Sequence, residues 1–200
     1  NKMEENFFYK LENEEELKNE NVQNMSQRNL NVYKKDIDNS KFINTEIIDS
    51  SLEKVYFKDV LFDNCNFSNT TFENCSFINC KFKNCKMTGC NFIENTFMSV
   101  QMQDTNLNYS NMSNTTFNNL KLKDTTLINS YIQDSILKNT KFDNIDFTKA
   151  QIFNTRLKDI DFSTCIIQGL STTLADIKGA IINELQIMDL AYLLNIKIKD

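Results

Sequence analysis

The sequence predicts an all-β solenoid, a chain wound into a parallel β-helix and capped at both ends. Three columns of residues in one five-residue register predict it. From Phe42 to Ile167, every fifth position is large and apolar, twenty-six times in succession, and the column holds 13 of the 16 Phe. At 40% apolar content, chance would produce such a run on the order of once in 10^10. Two residues before each centre, from Ser40 to Cys165, 22 of 26 positions are Cys, Ser, Thr, Val or Ala. Two residues after it, from Asn44 to Gly169, 20 of 26 are Asn, Asp or Gly.

A period of five matches neither the helix nor the strand, so the chain direction must be reset in every unit. The third column supplies the reset, because Asn, Asp and Gly tolerate the left-handed backbone of a tight turn. Each unit therefore reads as a short extended segment and a corner. The large and small columns form a narrow core, and the other positions face water.

Units such as Cys75-Ser76-Phe77-Ile78-Asn79, Cys80-Lys81-Phe82-Lys83-Asn84 and Ala175-Asp176-Ile177-Lys178-Gly179 resemble the A-(D/N)-L-x-x repeat of pentapeptide-repeat proteins. The resemblance implies a right-handed quadrilateral parallel β-helix with four units per coil. On that geometry 26 units make about 6.5 coils and a rod about 31 Å long. Phe57, Phe77, Phe97, Phe117, Leu137 and Leu157 would stack on one side, with Phe62 and Phe82 in the next column. The rod is expected over residues 30–182, after an N-terminal cap or arm (1–29) and before a C-terminal helix and short strand (183–200). Thr172 is out of character at a centre, and Ile177 and Ile182 resume the register.

Solenoid ends expose a core and a strand edge, so both need covering. At the N-terminus, Asn13 followed by Glu14, Glu15 and Glu16 predicts a capped helix, with Phe7, Phe8 and Leu11 as the plug. Val32 and Ile37 fit a ragged first coil. At the C-terminus, Asn183 with Gln186 predicts a capping box opening a helix over Glu184–Leu194, ended by Asn195, with a short strand at Ile196-Lys197-Ile198. That helix carries more apolar surface than one coil can cover. This ending resembles the pentapeptide-repeat proteins that protect DNA gyrase and topoisomerase IV from quinolones, where it makes a tail-to-tail homodimer. The resemblance implies a dimer interface at Leu185, Met188, Leu190, Leu193 and Leu194, and a type II topoisomerase partner approached by DNA mimicry.

Composition bounds the chemistry. The chain has no His, no Trp and three Gly, which excludes a Ser–His or Cys–His nucleophile and a glycine-rich phosphate loop. The six Cys (Cys65, Cys75, Cys80, Cys85, Cys90 and Cys165) all occupy the small inward column, so packing is expected rather than metal binding. No catalytic residue, cofactor or metal site is expected. Without a long apolar run or a secretory signal, a cytoplasmic protein with no membrane contact is expected.

Net charge is −5, which argues against direct nucleic-acid binding. It is also a weak basis for DNA mimicry, because residues 41–170 carry 13 basic and 14 acidic residues. Lys41, Lys81, Lys83, Lys121, Lys123 and Lys141 fall on one side, which Asp63, Asp143 and Asp161 share. A solvated, edge-protecting face is the expected reading there, with a nucleic-acid stripe the other. The function expected is a non-enzymatic interaction protein, either protecting a topoisomerase or serving as a scaffold for another protein through outward residues such as Ile78, Ile93, Met98 and Phe153.

Overall fold

In the computed structural model, which describes residues 6–195, short parallel strands pair at offsets of twenty residues. Leu17 pairs with Ile37, Ile37 with Phe57, Phe57 with Phe77, Phe77 with Phe97, Phe97 with Phe117 and Phe117 with Leu137. This is the first of four faces, here called face I. Face II runs in the same way from Val22 through Phe42, Phe62, Phe82, Met102 and Leu122 to Phe142. Face III carries Ile47, Phe67, Met87, Leu107, Leu127 and Phe147, and face IV carries Leu52, Phe72, Phe92, Met112, Ile132 and Ile152. The fold is therefore an all-β parallel solenoid with a quadrilateral section.

Corners explain how so short a period can wind. Every corner from Asn19 to Asp159 has φ between +46° and +69°. Asn and Asp hold most of them at low cost, but Lys34, Lys54, Glu94, Tyr109 and Lys149 are held there too. Core stacking outweighs the strain at those sites. Thr164 is the one corner between Asn19 and Gly169 without a positive φ, in keeping with the resistance of a β-branched residue to that region. Neighbouring corners are tied by side-chain amides: Asn64 Nδ2 donates to Asn44 Oδ1 at 2.8 Å, and Asn144 Nδ2 to Asp124 Oδ1 at 2.7 Å.

The interior is a column of rings. Phe57 and Phe77 stack with centroids 4.9 Å apart, Phe77 and Phe97 at 4.7 Å, and Phe62 and Phe82 at 4.6 Å. Across the corner, Phe57 meets Phe62 edge to face at 5.6 Å. Such pairs are each worth about 0.5–1.5 kcal/mol beyond area burial. Polar members of the small column stay inside by bonding backbone: Thr115 Oγ1 donates to Phe92 O at 3.0 Å and Ser135 Oγ to Met112 O at 2.8 Å. Asn95, too large for that column by the repeat rule, donates to Phe72 O at 3.0 Å and accepts from Cys75 N at 2.7 Å.

Both ends depart from the sequence expectation. The N-terminal helix, α1, spans Phe7–Asn13 and is capped by Asn6, whose Oδ1 accepts from Phe8 N at 3.0 Å. Asn13 ends this helix rather than opening one, and its side chain donates to Tyr9 O. The physical reason lies just downstream. Leu17, Val22, Val32 and Ile37 already continue the five-residue column and are buried, and only the exposed Gln27 interrupts it. The chain is therefore winding by Glu16–Lys18, which pairs with residues 36–38, and the rod starts well before residue 30. Phe7, Phe8 and Leu11 are buried, with the Phe7 ring edge-on to Phe42 at 5.1 Å.

At the other end, the register does not simply resume after Thr172. Leu174–Ile177 forms a helical turn, α2, capped by Thr173. The buried Asp176 carboxylate accepts from Asn154 N and Thr155 N, both at 3.1 Å, and so closes the strand edge. The capping box does form: Asn183 Oδ1 accepts from Gln186 N at 3.1 Å and Gln186 Oε1 from Asn183 N at 2.9 Å. The expected continuous helix over Glu184–Leu194 does not. It is replaced by one α-turn, α3 (Ile187–Leu190), and a 3-10 turn (Ala191–Leu194). Two anchors pin the segment to the rod and prevent a straight helix. Gln186 Nε2 donates to Phe162 O and Cys165 O at 2.7 Å, and Tyr192 OH donates to Leu170 O at 2.7 Å. Asn195 ends the 3-10 turn at φ 50°. The strand expected at Ile196-Lys197-Ile198 lies outside the described residues.

Candidate interaction surface

The titratable thiols are buried in the rod. Burial pushes the Cys75 thiol up to about 11 and the Cys80 and Cys90 thiols up to about 12. Cys85 shares a hydrogen bond with Cys65 and is also buried, and both effects hold its proton on. Protonated thiols are poor nucleophiles and poor metal ligands. All six cysteines are free, and among the described residues no three His, Cys, Asp or Glu side chains gather as a metal site. No helix of the described residues is long and apolar enough to cross a membrane.

What the chain does present is surface, of two kinds. On face II, parallel pairing sets Lys41, Leu61, Lys81, Gln101, Lys121 and Lys141 in one outward column. Asp63, Lys83, Gln103, Lys123 and Asp143 form its neighbour. Among the described residues the one ion pair in these columns is Lys123–Asp143, within the second column, at 3.9 Å between two exposed side chains, and it contributes little. Of the outward apolar residues, Met98 is exposed and Ile78, Ile93 and Phe153 are half-buried, with Ile78 and Met98 facing each other on paired strands.

The second surface lies at the C-terminal end. The two anchors turn α3 and the 3-10 turn so that Leu185 is 79% exposed, Met188 62% and Leu194 61%. Leu190 and Leu193 are half-buried. Met188, Leu190, Leu193 and Leu194, with Leu174, Ile177 and Ile182, wall a concavity of about 460 Å³ that is almost wholly apolar, and Leu185 is not part of its wall. Sequence reasoning singled out the leucines but not Leu174, Ile181 and Tyr192, which are also exposed here. They belong to the repeat register or the cap, and only the way the last coil turns brings them to one end.

Residues 75–152 match the family described as pentapeptide repeat region, and residues 56–92 match pentapeptide repeats (8 copies). No curated protein sequence matches the chain. Among solved structures, a trypsin-treated variant of QnrB1, a plasmid-mediated fluoroquinolone resistance protein, is 17% identical with a TM-score of 0.35, over 92% of this chain and 100% of that one. A pentapeptide repeat protein from the thylakoid lumen of Arabidopsis thaliana is 17% identical with a TM-score of 0.41, over 43% of this chain and 61% of its own. HetL, a pentapeptide repeat protein involved in heterocyst differentiation regulation from the cyanobacterium Nostoc, is 11% identical with a TM-score of 0.29, over 86% and 93%.

Proposed function

We propose, for a chain whose residues 56–152 are pentapeptide repeats wound into a rigid rod, that it is a non-enzymatic interaction scaffold acting as a homodimer. The observation that carries this reading is the apolar end, where Leu185, Met188 and Leu194 stand in solvent and Met188 and Leu194 line an almost wholly apolar concavity. Contiguous apolar surface of that kind marks an interface. Two copies joined there would present long, regular faces to a protein partner. Six unpaired thiols suit a reducing compartment, and we place the protein in the cytoplasm.

Protection of a type II topoisomerase is the narrower form of the same reading. It calls for columns of negative charge at DNA-like spacing, whereas the most regular charged column here is the lysine one on face II. The broader scaffold is therefore preferred. A gyrase supercoiling assay with ciprofloxacin separates the two: rescue by the purified protein would install the topoisomerase as partner. Light scattering tests the dimer. The full chain should show twice its 23.4 kDa mass, and a Leu185→Asp, Met188→Asp variant, which keeps the Gln186 anchor, should show one. A monomeric full chain would reduce the C-terminal segment to a lid.

A further inference from the structure

The solenoid is not closed along its whole length. On the first two faces, backbone bonds of one type recur in every coil: Lys81 N to Val60 O, Gln101 N to Cys80 O, Lys121 N to Val100 O and Lys141 N to Leu120 O, at 2.9–3.1 Å. The next member, Asp161 N to Thr140 O, is missing, as are Arg156 N to Ser135 O and Asn139 N to Lys158 O. Strand Ile136–Lys138 ends the sheet of face I, and strand Lys141–Asp146 ends that of face II. The coil over residues 156–163 instead bonds forward, Asp159 N to Gly179 O at 2.9 Å and Phe162 N to Ile181 O at 2.8 Å. Faces III and IV stay paired across the same level, at Asp146–Ile166 and Gln151–Ser171. The rod thus opens like a hinge on two faces.

Three departures from the repeat coincide there. Ile145 and Ile160 are oversize for the small column, and Thr164 fails to take the left-handed corner. Asn144 N consequently bonds Thr164 Oγ1 at 3.1 Å in place of a backbone carbonyl.

The opening holds a cavity of about 620 Å³, within the range of small-molecule sites. Leu137, Phe142 and Ile160 supply an apolar wall, and Lys138, Lys141 and Lys158 line it, with Asp159 and Asp161 beside them. Lys158 also borders an adjoining recess of about 450 Å³ with Arg156 and Lys178. None of these five cations makes an ion pair among the described residues. The fourth feature is Thr140, which lines the cavity and is 8% exposed, and whose hydroxyl has no hydrogen-bond partner. Thr70, Thr115, Thr125 and Thr155, in the same inward role, all donate to a carbonyl.

The geometry points to a binding site for a compact polyanion, a ligand carrying two or more phosphate or carboxylate groups. Three lysines in the cavity, with Arg156 and Lys178 in the adjoining recess, attract it against two carboxylates, and the partial enclosure strengthens each charge-assisted hydrogen bond. Thr140 supplies a donor already stripped of other partners, and the apolar wall accepts the ligand's carbon or bridging atoms. A single anionic group would engage only part of the cation set.

Titration calorimetry of the full chain with inorganic pyrophosphate and with citrate, against orthophosphate, tests the site. Saturable binding of pyrophosphate or citrate at least tenfold tighter than orthophosphate is expected. The Lys138→Gln, Lys158→Gln variant should weaken it tenfold or more, and Thr140→Val should weaken it to a lesser degree. A Lys81→Gln, Lys83→Gln variant on the closed part of face II should bind as the unmodified chain does. Circular dichroism melting of each variant separates lost binding from lost fold, and Thr140→Val keeps the test open if the lysine variant does not fold. No preference over orthophosphate, or equal weakening in the face II variant, would overturn the proposal.

Discussion

Residues 57–117 and residues 136–163 obey the same five-residue rule, yet the first stretch is sealed on every side and the second opens on two. In the first, Phe rings stack on faces I and IV, and Ser, Thr, Val and Cys sit between the large side chains, with Asn95 the one larger exception, satisfied by backbone. In the second, Leu137 replaces Phe on face I and is half-buried, and Ile145 and Ile160 crowd the small column. Phe142, at 9%, is the most exposed of the buried phenylalanines. The contrast teaches that the repeat dictates which side chains point inward, while pairing between coils depends on whether those side chains have matching heights.

The largest expected effect is in amide hydrogen exchange. Lys81, Gln101 and Lys121 amides are bonded to the preceding coil and should exchange only on global unfolding, whereas Asn139, Arg156 and Asp161 should exchange by local opening, orders of magnitude faster. Equal protection at both sets of positions would remove the seam. Next in size is a pair of truncations. Phe77→Ala deletes a ring at 0% exposure that stacks on both Phe57 and Phe97, and should cost about 3–5 kcal/mol in urea unfolding. Leu137→Ala, at the half-open edge, should cost roughly half the lower bound for buried Leu→Ala, or about 1 kcal/mol.

The last effect is confined to alkaline pH. Burial raises the Cys80 and Cys90 thiols to about 12, above their unfolded value of about 8.5. The folded state therefore keeps protons that the unfolded chain releases. The associated stability is complete below about pH 8.5 and is lost as pH rises toward 12. Unfolding midpoints should fall across that window, and less steeply in a Cys80→Ala, Cys90→Ala variant. A slope unchanged by the double substitution would show that other groups govern the alkaline limb.

The sequence alone determined the winding. A large apolar residue at every fifth position, a small one two before it and an Asn, Asp or Gly two after it leave no other way to bury Phe57, Phe77 and Phe97 together. That information is local and repeated, so each unit reinforces the next. The closures at the ends were less legible. Gln27 masked the first coils, and the anchoring of Gln186 and Tyr192 depends on carbonyls at Phe162, Cys165 and Leu170, which no spacing rule identifies. The seam was not legible at all. Thr140 is ordinary in its column, and the departures at Ile160 and Thr164 have counterparts elsewhere, such as Leu120 and Lys149, that leave the rod closed; their effect appears only when residues twenty apart are stacked, because a missing backbone bond belongs to the fit between two coils rather than to either one.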